Sequence, residues 1–179
     1  ITTPDVIDPE IMLTGANPQS IELGYAYSEL GATASDNVDG DISGSIVVNS
    51  SAVNVNAVGS YIVTYNVQDA AGNNAIQITR DVNVTADATV PVITLAGANP
   101  QSLEIGTAYS ELGATAVDNL DGDISSSIVI NSSAVNVSVI GSYPVTYNVQ
   151  DAAGNNAVQI TRDVNVTADA TVPVITLAG

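Results

Sequence analysis

SYIVTYNVQD, residues 60–69, alternates with a period of two: Tyr61, Val63, Tyr65 and Val67 fall on one side, Ile62, Thr64, Asn66 and Gln68 on the other. Successive side chains of a strand point to opposite faces, so this is the pattern of a strand with one face in a core. Shorter runs of the same character occur at Val92–Leu95, Ser102–Ile105, Ala114–Val117, Ser127–Ile130 and Gln159–Thr167, divided by clusters of Gly, Asn, Asp and Ser. No stretch holds an apolar helical face for three turns. About seven short strands per unit with regular turn signals predict an all-β chain of sandwich type.

The same strand returns as SYPVTYNVQD, and so does nearly everything around it. Gly15 and Gly97, Asp36 and Asp118, Tyr65 and Tyr147, Arg80 and Arg162 are all 82 residues apart. Glu10–Val90 and Val92–Val172 differ at 15 of 81 positions, mostly by apolar exchanges such as Ile21 for Leu103. This is a tandem repeat. The expected layout is a linker at 1–8, a first repeat at 9–86, a linker at 87–90, a second repeat at 91–168, and at 169–179 a linker with the first strand of a third repeat. PVITLAG at Pro173–Gly179 restarts the unit at the position of Pro91, the mark of a piece of a longer array. That stub lacks strand partners and is expected to fray or to pair with a neighbouring molecule.

Composition narrows the function. The chain has 179 residues, a net charge of -17, no Cys, His, Trp or Phe, and only two cationic side chains, Arg80 and Arg162. Nucleophile–base pairs, thiolate or imidazole metal sites and the basic patch that nucleic acid requires are all missing. No apolar run approaches the roughly 18 residues of a membrane span.

GSYIVTYNVQDAAGNNA resembles the late strand, loop and last strand of bacterial immunoglobulin-like domains, AYSELGATASDNVDGDIS is similar to the segment before it, and PVITLAGANP to the first strand. The likeness covers two units and a stub. It implies two tandem Ig-like β-sandwiches of the kind strung together in large surface and secreted proteins. It also implies a tyrosine corner at Tyr61 and puts Val63 where antibody domains carry a disulfide cysteine.

In such a sandwich successive strands run alternately away from and back to the N-terminal pole. The loop DNVDGD (36–41) therefore lies at that pole, as does QDAAGNN (68–74), and the incoming linker meets both. The expected metal ligands are Asp5, Asp36, Asp39, Asp41 and Asp69 in the first repeat, and Asp87, Asp118, Asp121, Asp123 and Asp151 in the second. Carboxylates gathered so closely repel unless a cation neutralises them, and with no Lys or His the cation comes from solution. Six to eight oxygen ligands suit Ca²⁺ better than Mg²⁺, which is smaller and strictly octahedral. Gly40 and Gly122 let the loop fold tightly. Asp, Asn and Gly are also turn formers, and a solvated acidic loop needs no metal. The convergence of three separated acidic segments favours the ion.

Arg80 falls on the inward side of its strand, which calls for a bulge near Thr79 or an ion pair with Glu22 or Glu29. Tyr25 and Tyr27 read as packing residues, since the second repeat has Thr107 where the first has Tyr25. The expected function is non-catalytic: structural extender repeats of a large bacterial surface or secreted protein, an adhesin, with structural Ca²⁺ stiffening each joint. The alternative is a carbohydrate- or protein-binding module attached to an enzyme or receptor. Expected partners are the neighbouring repeats of the same chain, with no nucleic acid and no membrane insertion; the expected location is extracellular or the cell surface.

Overall fold

The computed structural model describes residues 4–175. The chain divides into two compact units, 1–87 and 88–179, each with the same elements. In the first, β1 (Glu10–Leu13), β3 (Ala32–Asp36) and β4 (Gly40–Asp41) form one antiparallel sheet in the order β1-β3-β4. The facing sheet has the order β2-β7-β6-β5, from β2 (Gln19–Glu22), β5 (Val47–Asn49), β6 (Gly59–Asn66) and β7 (Ile78–Thr85). Its pairings are antiparallel except β2 with β7, which run parallel with Gln19 opposite Val82. In the second unit β8 (Val92–Leu95), β10 (Ala114–Asp118) and β11 (Gly122–Asp123) repeat the small sheet; β9 (Gln101–Glu104), β12 (Val129–Asn131), β13 (Gly141–Asn148) and β14 (Ile160–Thr167) repeat the large one. These are two tandem Ig-like sandwiches of seven strands each.

The alternation of β6 does what its pattern requires. Val63 and Tyr65 are fully buried and Val67 nearly so, while Ile62 faces solvent. They pack with Ile11, Ile21, Ala34 and Val82 from both sheets; Ile93, Ala116, Val145, Tyr147, Val149 and Val164 form the corresponding core of the second unit. Val63 and Val145 fill the inter-sheet space by packing alone, and the chain has no cysteine to do otherwise. Tyr61 Oη donates to the carbonyl of Ala57 at 2.8 Å, and Tyr143 to that of Val139 at 2.8 Å, which is the tyrosine corner the resemblance implies.

One strand differs from expectation. Ser127 does not begin a strand; Ser125–Ser127 form a short 3-10 turn and β12 starts at Val129. The cause is local. Asp123 Oδ1 accepts from the backbone N–H and the hydroxyl of Ser125 and curls the chain before it can extend. Of the stub, residues 173–175 carry no strand and 176–179 lie outside the described residues.

Arg80 sits in the core without a bulge. The β6–β7 register runs unbroken through Val63–Arg80 and Thr64–Thr79. Its fully buried guanidinium donates to the carbonyls of Thr14 (2.7 Å), Ala16 (2.7 Å) and Gly31 (2.8 Å) and to Tyr65 Oη (3.0 Å). Tyr65 in turn donates to Glu29 Oε1 at 2.5 Å, and Tyr27 donates to Glu29 Oε2. In the second unit Arg162 meets Glu111 directly at 3.1 Å. In the first unit Glu29 is linked to Arg80 through Tyr65 rather than by the direct ion pair expected; its counterpart Glu111 makes that pair in the second. The carbonyls of Thr14, Ala16 and Gly31 thus surround the guanidinium with acceptors, which is what permits a charge in so small a core.

Candidate metal centre

Each acidic pole assembles from three segments far apart in sequence. Asp5 precedes β1, Asp36 ends β3, and Asp69 follows β6. Among the described residues, Asp5, Asp36 and Asp69 form one group in which one carboxylate oxygen from each lies within 4.8 Å of the others; Asp87, Asp118 and Asp151 form a second. The second triad is buried throughout, with Asp118 only 4% exposed.

The hydrogen bonds show how each side chain is held. The β3–β4 hairpin pairs Asp36 with Gly40, whose φ of 73° is the left-handed conformation that closes a three-residue loop and favours glycine. Within it Asp36 Oδ2 accepts from Val38 N (2.7 Å) and Asp39 N (3.1 Å). Asp118 Oδ2 accepts in the same way from Leu120 N (2.8 Å) and Asp121 N (3.0 Å). Asp69 is fixed by its own loop: Oδ1 accepts from Gly72 N and Asn73 N, both at 2.7 Å, and Oδ2 from Asn73 Nδ2 at 2.8 Å. The same Asn73 amide reaches the backbone carbonyl of Asp5 at 3.4 Å, joining the linker to the loop.

These contacts leave particular atoms over. Asp5 Oδ2, Asp36 Oδ1 and Asp118 Oδ1 are buried with no hydrogen-bond partner. A buried acceptor without a donor costs free energy, and a carboxylate more than a neutral group. Burial pushes Asp69 and Asp151 toward the neutral form. Hydrogen bonds from the Asn73 or Asn155 side chain and from the loop amides outweigh it and hold both below the ordinary carboxylate range. The chain has no Lys or His, and both arginines are engaged in the cores. Orphaned, hard, anionic oxygens facing one another fit a hard divalent cation.

Six of the ten expected ligands therefore come together, and four do not join either triad. Asp39 Oδ2 accepts from Ala70 N at 2.8 Å and Asp121 Oδ2 from Ala152 N at 2.7 Å, so each reaches across to the loop that carries Asp69 or Asp151. Asp41 is exposed and its Oδ1 is taken by the hydroxyl (2.6 Å) and amide (3.0 Å) of Ser43, which also hold its carboxyl below the usual range. Asp123 is engaged in the same way by Ser125. Sequence reading missed these serines; the Asp-x-Ser spacing of a side chain–backbone turn was the available signal.

Comparison with known proteins adds the following. The chain matches the family described as "Bacterial surface protein, Ig-like domain" twice, over residues 11–84 and 93–166. Pesticidal crystal protein Cry22Aa of Bacillus thuringiensis is 31% identical over 136 residues, covering 73% of this chain and 18% of that protein. Hyalin of Lytechinus variegatus is 35% identical over 197 residues, covering 99% of this chain and 34% of hyalin. The chain thus spans about a third or less of the length of these relatives. Among solved structures, that of the M60 catalytic domain with the CBM51-1 and CBM51-2 domains from Clostridium perfringens ZmpB matches with a TM-score of 0.65 at 16% identity, over 90% of this chain and 31% of that one. At that identity the likeness is one of fold.

Proposed function

The chain belongs to the bacterial surface Ig-like domain family, and on that premise we propose that its repeats are non-catalytic extender segments of a large surface or secreted protein, an adhesin, whose joints are stiffened by Ca²⁺. Extracellular or cell-surface placement goes with the reading. Among the described residues no helix is long and apolar enough to cross a membrane.

One observation carries the proposal: both triads combine a carboxylate of the segment leading into a repeat, Asp5 or Asp87, with two from the body of that repeat. An ion bound by all three ties the leading segment to the sandwich. Asp5, Asp36 and Asp69, or Asp87, Asp118 and Asp151, would hold it; the ion supplies the positive charge that the chain lacks. Near-identity of the repeats supports an extender over a binding module, because a stalk uses one joint many times while a binding site uses one particular surface. The composition withholds the His, Cys and Lys that most covalent catalysis employs.

A ligand bound only by the folded state stabilises it by RT ln(1 + [L]/Kd), about 2.7 kcal/mol at a hundredfold excess over Kd. Melting temperature should rise in millimolar Ca²⁺ and fall in chelator. Small-angle scattering should show a narrower spread of shapes with Ca²⁺ than without, and Asp87→Ala should remove that difference while both sandwiches stay folded. Melting curves that superimpose with and without Ca²⁺ would reduce the triads to turn chemistry and leave the binding module as the better account.

A further inference from the structure

We propose that Asp39 and Asp121 are positioning residues of the cation site, clamps that lock two of its three ligand-bearing segments together before any ion arrives. The inference rests on the Ca²⁺ reading above and assigns to these residues a role other than ligation.

The geometry is the same in both units. Asp36 stands at the start of the β3–β4 hairpin and Asp69 at the start of the loop between β6 and β7, segments 33 residues apart in sequence and on opposite sheets. The side-chain hydrogen bond joining the two segments is Asp39 Oδ2 accepting from Ala70 N at 2.8 Å; Asp121 and Ala152 repeat it at 2.7 Å. Asp39 lies three residues from Asp36 and Ala70 is next to Asp69, so the bond fixes the separation of the two ligands. Its donor is a backbone amide and its acceptor a carboxylate oxygen, a pairing stronger than one between neutral groups. A second contact supports the same hairpin, since the Asp39 amide donates to Asp36 Oδ2. Asp39 thus holds Asp36 with its backbone and the Asp69 loop with its side chain. The oxygen of Asp36 left unpartnered by this arrangement is Oδ1, and at the more deeply buried copy the same is true of Asp118 Oδ1. Two carboxylates are therefore held in place, that of Asp36 or Asp118 with an orphaned oxygen, and the third, from the leading segment, completes the set.

A clamp and a ligand differ in what they require. A clamp needs an acceptor atom, which an asparagine also offers; a ligand to a divalent cation needs its negative charge. Outer-shell partners of metal ligands are commonly worth 10- to 100-fold in affinity. Calcium titration calorimetry on the full chain separates the cases through paired variants that change both units alike. Asp39→Ala with Asp121→Ala should weaken Ca²⁺ binding about tenfold or more, and Asp39→Asn with Asp121→Asn should restore it to within about threefold of the parent. Asp36→Asn with Asp118→Asn should lose binding altogether. Amide hydrogen exchange in chelator supplies a readout independent of the ion: Ala70 and Ala152 should be protected in the parent and in the Asn pair, and exchange faster in the Ala pair.

If the parent binds no Ca²⁺, the functional reading falls and takes the clamp's purpose with it. If the parent binds but the Ala pair binds equally well, the clamp alone is wrong. If the Asn pair is as damaged as Asp36→Asn with Asp118→Asn, these residues are ligands after all.

Discussion

Each sandwich contains two clusters of buried charge, and in the first they are resolved in opposite ways; in the second the arginine network is less complete, since Arg162 Nε is buried without a partner. Around Arg80 a single cation is surrounded by three backbone carbonyls, Tyr65 and, one step further, Glu29, so donors and acceptors match within the fold. At the pole, Asp5, Asp36 and Asp69 face one another, Asp5 and Asp36 each with an orphaned oxygen, and no side-chain cation answers them. A network complete in itself is structural, and one that lacks a charge asks for a ligand. The two are built on the same strands: β3 begins beside Gly31, which Arg80 holds, and ends at Asp36.

The comparison can be broken most forcefully at Arg80. Arg80→Leu removes the guanidinium donor to the carbonyls of Thr14, Ala16 and Gly31 and the counter-charge of Glu29, a change that typically costs about 3–5 kcal/mol. Denaturant unfolding should show the first unit destabilised by that order, and the second unit, with Arg162 intact, should keep its full Ca²⁺-dependent gain in stability. Loss of that gain in the second unit would mean that the two clusters are not separable.

Acid and alkali sharpen the contrast further. In the arginine cluster burial pushes Tyr27, Tyr65, Tyr109 and Tyr147 upward, and hydrogen bonds to Glu29 or Glu111 add to it, with Tyr109 pushed up to about 12. A folded value above the unfolded one, about 10, contributes stability that is complete below pH 10 and is lost as pH rises through the folded values. The opposite sign holds for the carboxylates. Burial raises Glu29 and Glu111, but tyrosine and backbone hydrogen bonds and then the arginine bring them below the ordinary range, as the loop bonds do for Asp69 and Asp151. Their contribution is present above the unfolded values of about 4 and is lost as pH falls through the lowered ones. Melting temperature should therefore drop at both ends. The alkaline drop should be unchanged by Asp36→Asn with Asp118→Asn, and the acid drop should move to lower pH in Ca²⁺, because protons and the cation compete for the same oxygens. An alkaline limb that responds to the pole variants would contradict this assignment of the two clusters.

The smallest effect is expected from Tyr143→Phe, which removes a single hydrogen bond to the Val139 carbonyl remote from either cluster. It should cost about 1 kcal/mol in denaturant unfolding and leave both the Ca²⁺ response and the pH limbs alone. A loss of several kcal/mol would assign the corner a larger part in the fold than one hydrogen bond.

Much of this was legible in the chain. The period of two in Tyr61–Val67 and the offset of 82 residues were enough for tandem sandwiches, because strand alternation and duplication are both written locally. The expectation that Asp5, Asp36 and Asp69 share a pole holds, but not by strict alternation, since β1 and β3 are antiparallel with β2 between them in the chain. It did not distinguish Asp36 from Asp39 and Asp41 within a single six-residue stretch. That choice depends on a turn: Gly40 in the left-handed region closes the hairpin, Ser43 takes Asp41, and the Ala70 amide from a distant loop takes Asp39. The bulge expected at Thr79 failed for a related reason. The carbonyls of Thr14, Ala16 and Gly31 that welcome Arg80 belong to segments about 50 to 65 residues away, and no local pattern announces them.

The central claim, that the carboxylate triads hold Ca²⁺, is tested most directly by a crystal structure of the chain grown in millimolar CaCl₂ and read for the anomalous signal of the ion. The account predicts a peak in each triad, bonded at about 2.3–2.6 Å to Asp36 Oδ1 and to oxygens of Asp5 and Asp69, with the equivalent contacts from Asp118, Asp87 and Asp151. Triads that hold only water under those conditions, or carboxylates turned outward to solvent, would contradict it.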